Sequence, residues 1–394
     1  MGLSGSVLAS MRSAQVKGLT TAQVAALGAV QVGAFGSGAL KGLSIVQVGA
    51  LVSEQVAGFG SEQMPMLGSA QISGFSTRSL MGLGTAAVAA LTGAQATGFV
   101  SAQLRTLSTD QIRALSPDAV GQMGRPAMMG LVSAQMGALQ ATQLMVLTSV
   151  QVAGLSTSQI RGLRGMQVGA LATAAIRALS TGQVRTLDSE QVGALTRDQW
   201  RGLANVHVGA IDVAAVIGLE TEDIATLQSS QMTGFTSAQV RVLTGEQLAA
   251  VPTGALKGLS AAAFTGMGSD HVRGLTGEQI SELSTVQIAA IGSVAIRGME
   301  TSDFQMLRSA QIAGLRTQQI RALSSGAFGA IGSGQFRALT TMQLRALTTT
   351  QIEAVPLTLF GALTSVQAKA FVTAQLGGLG SEWIGAINAA TRNR

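Results

Sequence analysis

His207 and His271 are the only imidazoles in a chain of 394 residues that has no cysteine. A thiolate nucleophile, a thiolate zinc site and a disulfide framework are therefore excluded. The two histidines stand in ANVHVGA and GSDHVRG, with no carboxylate or nucleophile spaced to make an acid–base pair. The carboxylate pairs Asp188/Glu190 and Glu220/Glu222 read as solvated charges in the first turns of helices, not as a general acid and base. Glycine is abundant, yet no Gly-x4-Gly-Lys-Ser/Thr phosphate loop occurs. The sequence thus predicts no catalytic residue, no cofactor-binding residue and no metal ligand, and an enzyme is not expected.

The chemistry that remains is that of arginine. Lys and Arg number 25 against 19 Asp and Glu, a net charge of +6 that is small for this length. No run of like charges forms a basic arm or an acidic tail. Twelve arginines nevertheless share one register: Arg105, Arg113, Arg161, Arg177, Arg185, Arg201, Arg241, Arg273, Arg297, Arg321, Arg337 and Arg345. If they fell on one face they would form a stripe able to track a polyanion.

That register belongs to a repeat covering almost the whole chain. Stepping by eight from Leu3 through Met11, Leu19 and Leu27 meets an apolar residue each time, for 48 octads ending at Ala386, without insertion or deletion. The consensus is Leu, Ser/Thr, Ser/Thr, any residue, Gln, Val/Ile, any residue, Ala/Gly. Position 5 is Gln in 30 octads and Ala in 10, and position 6 is apolar in all 48. Such regularity must be read before any local motif.

Apolar positions 6 and 1 of the next octad are three apart, which suits a helical turn and not the alternation of a strand. One continuous helix fails as well, because eight residues rotate about 800° and the apolar stripe would wind around the axis. The pattern therefore predicts one very short helix per octad. Ser/Thr at position 2 with Gln at position 5, as in Thr20/Gln23 and Ser108/Gln111, reads as a capping box. Pro117 falls at a first helical position, and Pro65, Pro126, Pro252 and Pro356 mark local irregularities.

Charges follow the same frame. Eleven of the 19 acids are at position 4 and 16 of the 25 bases at position 7, as the helix dipole favours. Asp110–Arg113, Asp198–Arg201 and Asp270–Arg273 are spaced for ion pairs within a turn.

Helices this short cannot persist alone in water. The expected fold is all-α, a continuous solenoid in which each octad buries positions 1 and 6 against its neighbours. The uneven fall of the position-7 bases on a 24-residue grid points to three octads per turn. A single domain over 1–387 with a polar tail over 388–394 is the expected organisation. Ser79–Leu104 and Ala127–Ile160 are uncharged and long enough to span a bilayer, but they keep the octad frame, so no membrane span is expected.

Octads such as LSTDQIRA, LTTAQVAA and LTGEQISE resemble the low-complexity arrays of large secreted or surface proteins of bacteria, a resemblance covering the whole chain and implying no assigned activity. LSPDAV and LTGEQLAA resemble the first helix of a TAL-effector repeat over about eight residues. The second helix and base-reading loop of that family are absent, so no DNA-reading residue carries over.

These features predict a structural protein, a filament or stalk subunit at the bacterial surface or outside the cell, although no Sec-type signal is visible and a cytoplasmic location stays open. Its partner would be another copy, joined head to tail through repeat ends that lack a strongly polar cap, with Leu3, Met11, Trp383, Ile384 and Ile387 as contacts. The alternatives are a polyanion-binding solenoid using the arginine register, or a Ser/Thr-studded surface for ice or carbohydrate. The small net charge and the lack of interleaved aromatics argue against nucleic acid. Gln at position 5 serves either as a cap alone or also as a rung between successive turns.

Overall fold

The computed structural model describes residues 3–392 and is all-helical over that range, with 45 short α-helices and three 3-10 helices. One helical element falls in each octad. Most are four to six residues long, and the last, Ser381–Ala390, has ten. The stretches long enough to span a bilayer are broken accordingly, and no described helix is long and apolar enough to cross a membrane.

Two residues per octad interrupt the helix. Leu107 and Ser108 illustrate them, with φ/ψ of −64°/139° and −68°/161°, both extended. Thr109–Ala114 then forms the turn, and Leu115 is extended again. Ser or Thr at position 2 is the N-cap where it occurs: the Thr20 hydroxyl accepts from the Gln23 N–H at 3.2 Å and Ser108 from Gln111 at 3.1 Å. Pro117 opens its helix behind the Ser116 cap. Pro65 and Pro356 coincide with two of the three 3-10 segments, Met64–Met66 and Leu357–Ala362.

The chain divides into two compact units, Met1–Gly202 and Leu203–Arg394. Within each, helices three octads apart in sequence pack on one another, as Ser13–Lys17 does on Ser37–Gly42 and Thr317–Ala322 on Thr341–Ala346. One turn of the solenoid is therefore three octads, 24 residues. The core consists of position 1 and position 6: Leu51, Val56, Leu107, Ile112, Ile320 and Leu323 are at most 4% exposed, and Trp200, at position 6, is fully buried. All eleven phenylalanines are buried in it. Asn388–Ala390, expected in the tail, instead continue the final helix, and Ala390 is buried.

Turns are joined by the position-5 glutamine, which does two things with one amide. Its Oε1 accepts from the position-2 backbone N–H of its own octad, and this holds for every glutamine at that position. From Gln31 onward its Nε2 donates to the position-1 carbonyl 28 residues earlier, on the preceding turn. Most also donate to the position-6 carbonyl 31 residues earlier. Gln239 is 1% exposed, accepts from Thr236 N–H at 2.9 Å and donates to Val208 and Ile211 carbonyls at 2.8 Å each. The position-1 carbonyl lies in the extended link between helices and takes the amide as its donor, whereas the position-6 carbonyl also accepts from the next position-1 N–H, as Val208 does from Ile211 at 3.3 Å. Cap and rung are thus one side chain.

Substitutions at position 5 show what the slot demands. His271 meets both halves: Nδ1 accepts from Gly268 N–H at 2.6 Å and Nε2 faces the Leu243 carbonyl at 2.7 Å, which requires the neutral tautomer with its proton on Nε2. His207 accepts from Ala204 N–H at 3.2 Å. Both histidines therefore stand in for glutamine. Asp303 accepts from Glu300 N–H at 3.1 Å, but an ionised carboxylate has nothing to donate to the preceding turn. Its burial pushes the carboxyl above the ordinary Asp range; the bond from Glu300 N–H opposes this and the Glu300 charge adds to it. The glutamine run pauses where the chain divides: after Gln199 the next three octads carry His207, Ala215 and Asp223, and glutamine resumes at Gln231.

Glycine here serves close approach, not unusual dihedrals, since no described residue has positive φ. At position 8 a Cβ on Gly298 would overlap the Ser269 carbonyl of the turn below, as one on Gly82 would overlap Ser53. At position 2 of the same octad, Gly292 has open space around it.

Three outcomes follow from this packing. Gln239→Ala leaves the Thr236 N–H and the Ile211 carbonyl without these partners and should cost about 2–4 kcal/mol in denaturant unfolding, against about 1 kcal/mol for a cap alone. Asp303→Gln should raise stability at pH 7 by about 1 kcal/mol, by replacing a buried charge with a rung. Because the folded-state pKa of Asp303 is raised, the wild-type site contributes most below the carboxylate range and loses that contribution as pH rises. The advantage of Gln should therefore shrink as pH falls towards 4, and melting at both pH values reads it. Gly298→Ala should cost about 1–3 kcal/mol by overpacking, whereas Gly292→Ala should stay within about 0.5 kcal/mol.

Candidate interaction surfaces

Among the described residues there is no group of three or more His, Asp or Glu side chains placed to hold a metal ion. A groove of about 590 Å³ borders Lys257, Glu282, Gln287 and Arg308, but it is open to solvent and holds no nucleophile–base pair. What the surface offers is charge and two repeat ends.

The position-4 acids behave partly as expected. Asp110 pairs with Arg113 at 2.7 Å and Asp270 with Arg273 at 2.8 Å. The third spacing, Asp198–Arg201, does not close into an ion pair, and for exposed groups such closure is worth little either way. Two acids instead reach the preceding turn: Asp118 accepts from Gly93 N–H at 2.7 Å and Glu190 from Gly165 N–H at 3.4 Å. Lys257 reaches the next turn, where its 2.5 Å bond to Glu282 holds that carboxyl below its ordinary range.

All twelve arginines of the register are exposed, but they do not make one stripe. Each octad forms one side of its turn, so only residues a multiple of 24 apart share a side. In the first unit Arg105, Arg177 and Arg201 share one side and Arg113, Arg161 and Arg185 another. In the second unit Arg241 and Arg337 share a side, while Arg273, Arg297, Arg321 and Arg345 occupy four successive turns of a different one. Lys369 continues that row to a fifth turn and Arg316 lies within it; both are exposed. Sequence reasoning missed these two. A 24-residue step through Lys as well as Arg finds Lys369, and Arg316 shares an octad with Arg321.

The next side of the second unit carries Glu278, Glu282, Glu300, Asp303 and Glu353. Asp303 is buried and Glu282 is paired with Lys257, leaving Glu278, Glu300 and Glu353 exposed.

Of the end residues, Leu3 is 40% exposed, Met11, Trp383 and Ile384 are half-buried, and Ile387 is 2% exposed, already covered by its own chain. In the first turn Gln15 and Gln23 are exposed: each Oε1 is engaged by its cap, while Nε2 bonds to no described residue. In the last octad Trp383 takes the glutamine slot, and its Nε1 has no hydrogen-bond partner among the described residues.

No curated protein matches the chain. Among solved structures, that of APUM23-GGAAUUGACGG aligns over 96% of this chain and 86% of its own, at 12% identity and a TM-score of 0.23, too low to carry an argument. The ALTTAQ repeat model matches residues 166–197, 216–253, 296–330 and 328–365. In the octad frame those six letters are position 8 followed by positions 1 to 5, from the small residue to the ladder glutamine. The chain is an octad-repeat protein in which segments of both units are similar to the ALTTAQ repeat.

Proposed function

We propose that this chain is a structural, self-assembling solenoid that joins copies head to tail, as a filament or stalk subunit at or outside a bacterial surface. The observation that carries the reading is the polarity of the ladder. Every rung runs from a glutamine amide to carbonyls of the preceding turn, so a first turn has donors to offer and a last turn has acceptors. Gln15 and Gln23 carry such donors. At the other end Trp383 stands in the last octad where glutamine would supply the donor. Ends of opposite hydrogen-bonding character and equal repeat geometry give a heterologous contact, the kind that propagates without closing. The Ser/Thr caps weaken an ice or carbohydrate reading, because the position-2 hydroxyls are already bonded to backbone N–H groups.

Negative-stain electron microscopy over a concentration series tests this. Filaments of uniform width should lengthen with concentration, and Gln15→Glu/Gln23→Glu, which keeps each cap acceptor and removes the Nε2 donor, should shorten them while leaving the melting curve nearly unchanged. Particles of one length at every concentration would overturn the reading.

A further inference from the structure

One side of the second unit changes character along its length: after two octads, 219–226 and 243–250, that expose Glu220, Glu222 and Glu246, it becomes basic. Five successive octads, 267–274, 291–298, 315–322, 339–346 and 363–370, stack one on the next. They present Arg273, Arg297, Arg316, Arg321, Arg345 and Lys369, all exposed, against a single acid, Asp270, which is paired with Arg273. With stacked helices about 8–10 Å apart, the row extends roughly 35 Å. Beside the cations, at position 4 of the same octads, stand exposed apolar side chains: Val294 is 70% exposed, Met342 68% and Val366 68%. Each lies three residues before a cation, Arg297, Arg345 and Lys369, on the same helical turn.

We infer that this side is a peripheral docking surface for an anionic lipid bilayer. A basic row would attract any polyanion, but the apolar neighbours select among them. Val294, Met342 and Val366 gain nothing from a phosphodiester or a sugar acid, whereas at a bilayer interface they can enter the headgroup boundary while the guanidinium groups remain among lipid phosphates. A single-stranded nucleic acid would want aromatic rings to stack on, and every phenylalanine is buried. The exposed acids of the adjacent side, Glu278, Glu300 and Glu353, would be turned away from the membrane, and Glu220, Glu222 and Glu246, on the two preceding turns of the basic side, confine the contact to the five turns from Arg273 to Lys369. This surface does not depend on the end-to-end contact, and either can fail without the other.

Flotation of the full chain with vesicles of 70:30 phosphatidylcholine and phosphatidylserine, compared with pure phosphatidylcholine, tests the proposal. The chain should float with the anionic vesicles only, and 0.5 M NaCl should release it. Arg297→Glu/Arg321→Glu/Arg345→Glu should weaken binding by roughly 100-fold or more, whereas the same reversal at Arg161, Arg177 and Arg185 should leave most of it. Val294→Ser/Met342→Ser/Val366→Ser should weaken vesicle binding without altering any gel shift of duplex DNA. Circular dichroism melts confirm that the variants are folded. Failure to float with anionic vesicles would overturn the proposal. So would DNA binding at equal or greater strength with vesicle binding indifferent to the serine variant, which would assign the row to nucleic acid.

Discussion

A very short helix leaves more backbone groups without partners than it satisfies, and in this chain one side-chain amide makes up much of the shortfall. The position-5 glutamine accepts at the N-terminus of its own helix and donates to carbonyls of the turn before. Neither half alone would suffice. A cap without the rung would leave the position-1 carbonyl in a dry interior without its donor, and a rung without the cap would leave the side chain free to rotate away. An amide is the neutral group that presents an acceptor and two donors on one rigid plane. That is why the slot tolerates a neutral imidazole, as at His271, and is strained by a carboxylate, as at Asp303.

The rest of the repeat follows from bringing successive turns within reach of that amide. Leu at position 1 and Val or Ile at position 6 fill the interior and carry, on their backbones, the carbonyls the amide needs. Glycine at position 8 removes the Cβ that would strike the turn below, as Gly298 does against Ser269. Positions 4 and 7 remain outside, free to vary, and there the two units differ. In the second, one side carries cations over its last five turns after two turns that expose Glu220, Glu222 and Glu246; in the first, the position-7 cations are divided between two sides with gaps between them.

Much of this was legible in the residues. The octad frame, the helix per octad and the capping boxes at Thr20/Gln23 and Ser108/Gln111 follow from where apolar and capping residues fall, and the three-octad turn was signalled only by the uneven fall of the position-7 bases on a 24-residue grid. Whether glutamine also bridged turns was not legible, since a cap and a rung call for the same residue at the same place. Only a partner 28 residues earlier, fixed by the pitch, separates them. The arginine register misled for a related reason. Position 7 is one position in the octad but three sides in the turn, so the twelve arginines could not form a single stripe. Asp198–Arg201 had the spacing for an ion pair and did not form one, as exposed side chains have little to gain from it.

Hydrogen exchange of the glutamine side-chain amides, read by NMR, addresses the ladder most directly. The Nε2 protons of Gln55, Gln239 and Gln343, buried and bonded to the preceding turn, should be strongly protected. Those of Gln15 and Gln23, whose Nε2 bonds to no described residue, should exchange at nearly the rate of a free amide when the protein is dilute and unassembled. Uniformly fast exchange would contradict the account, because the glutamines would then be surface caps and the turns would be held together by apolar packing alone.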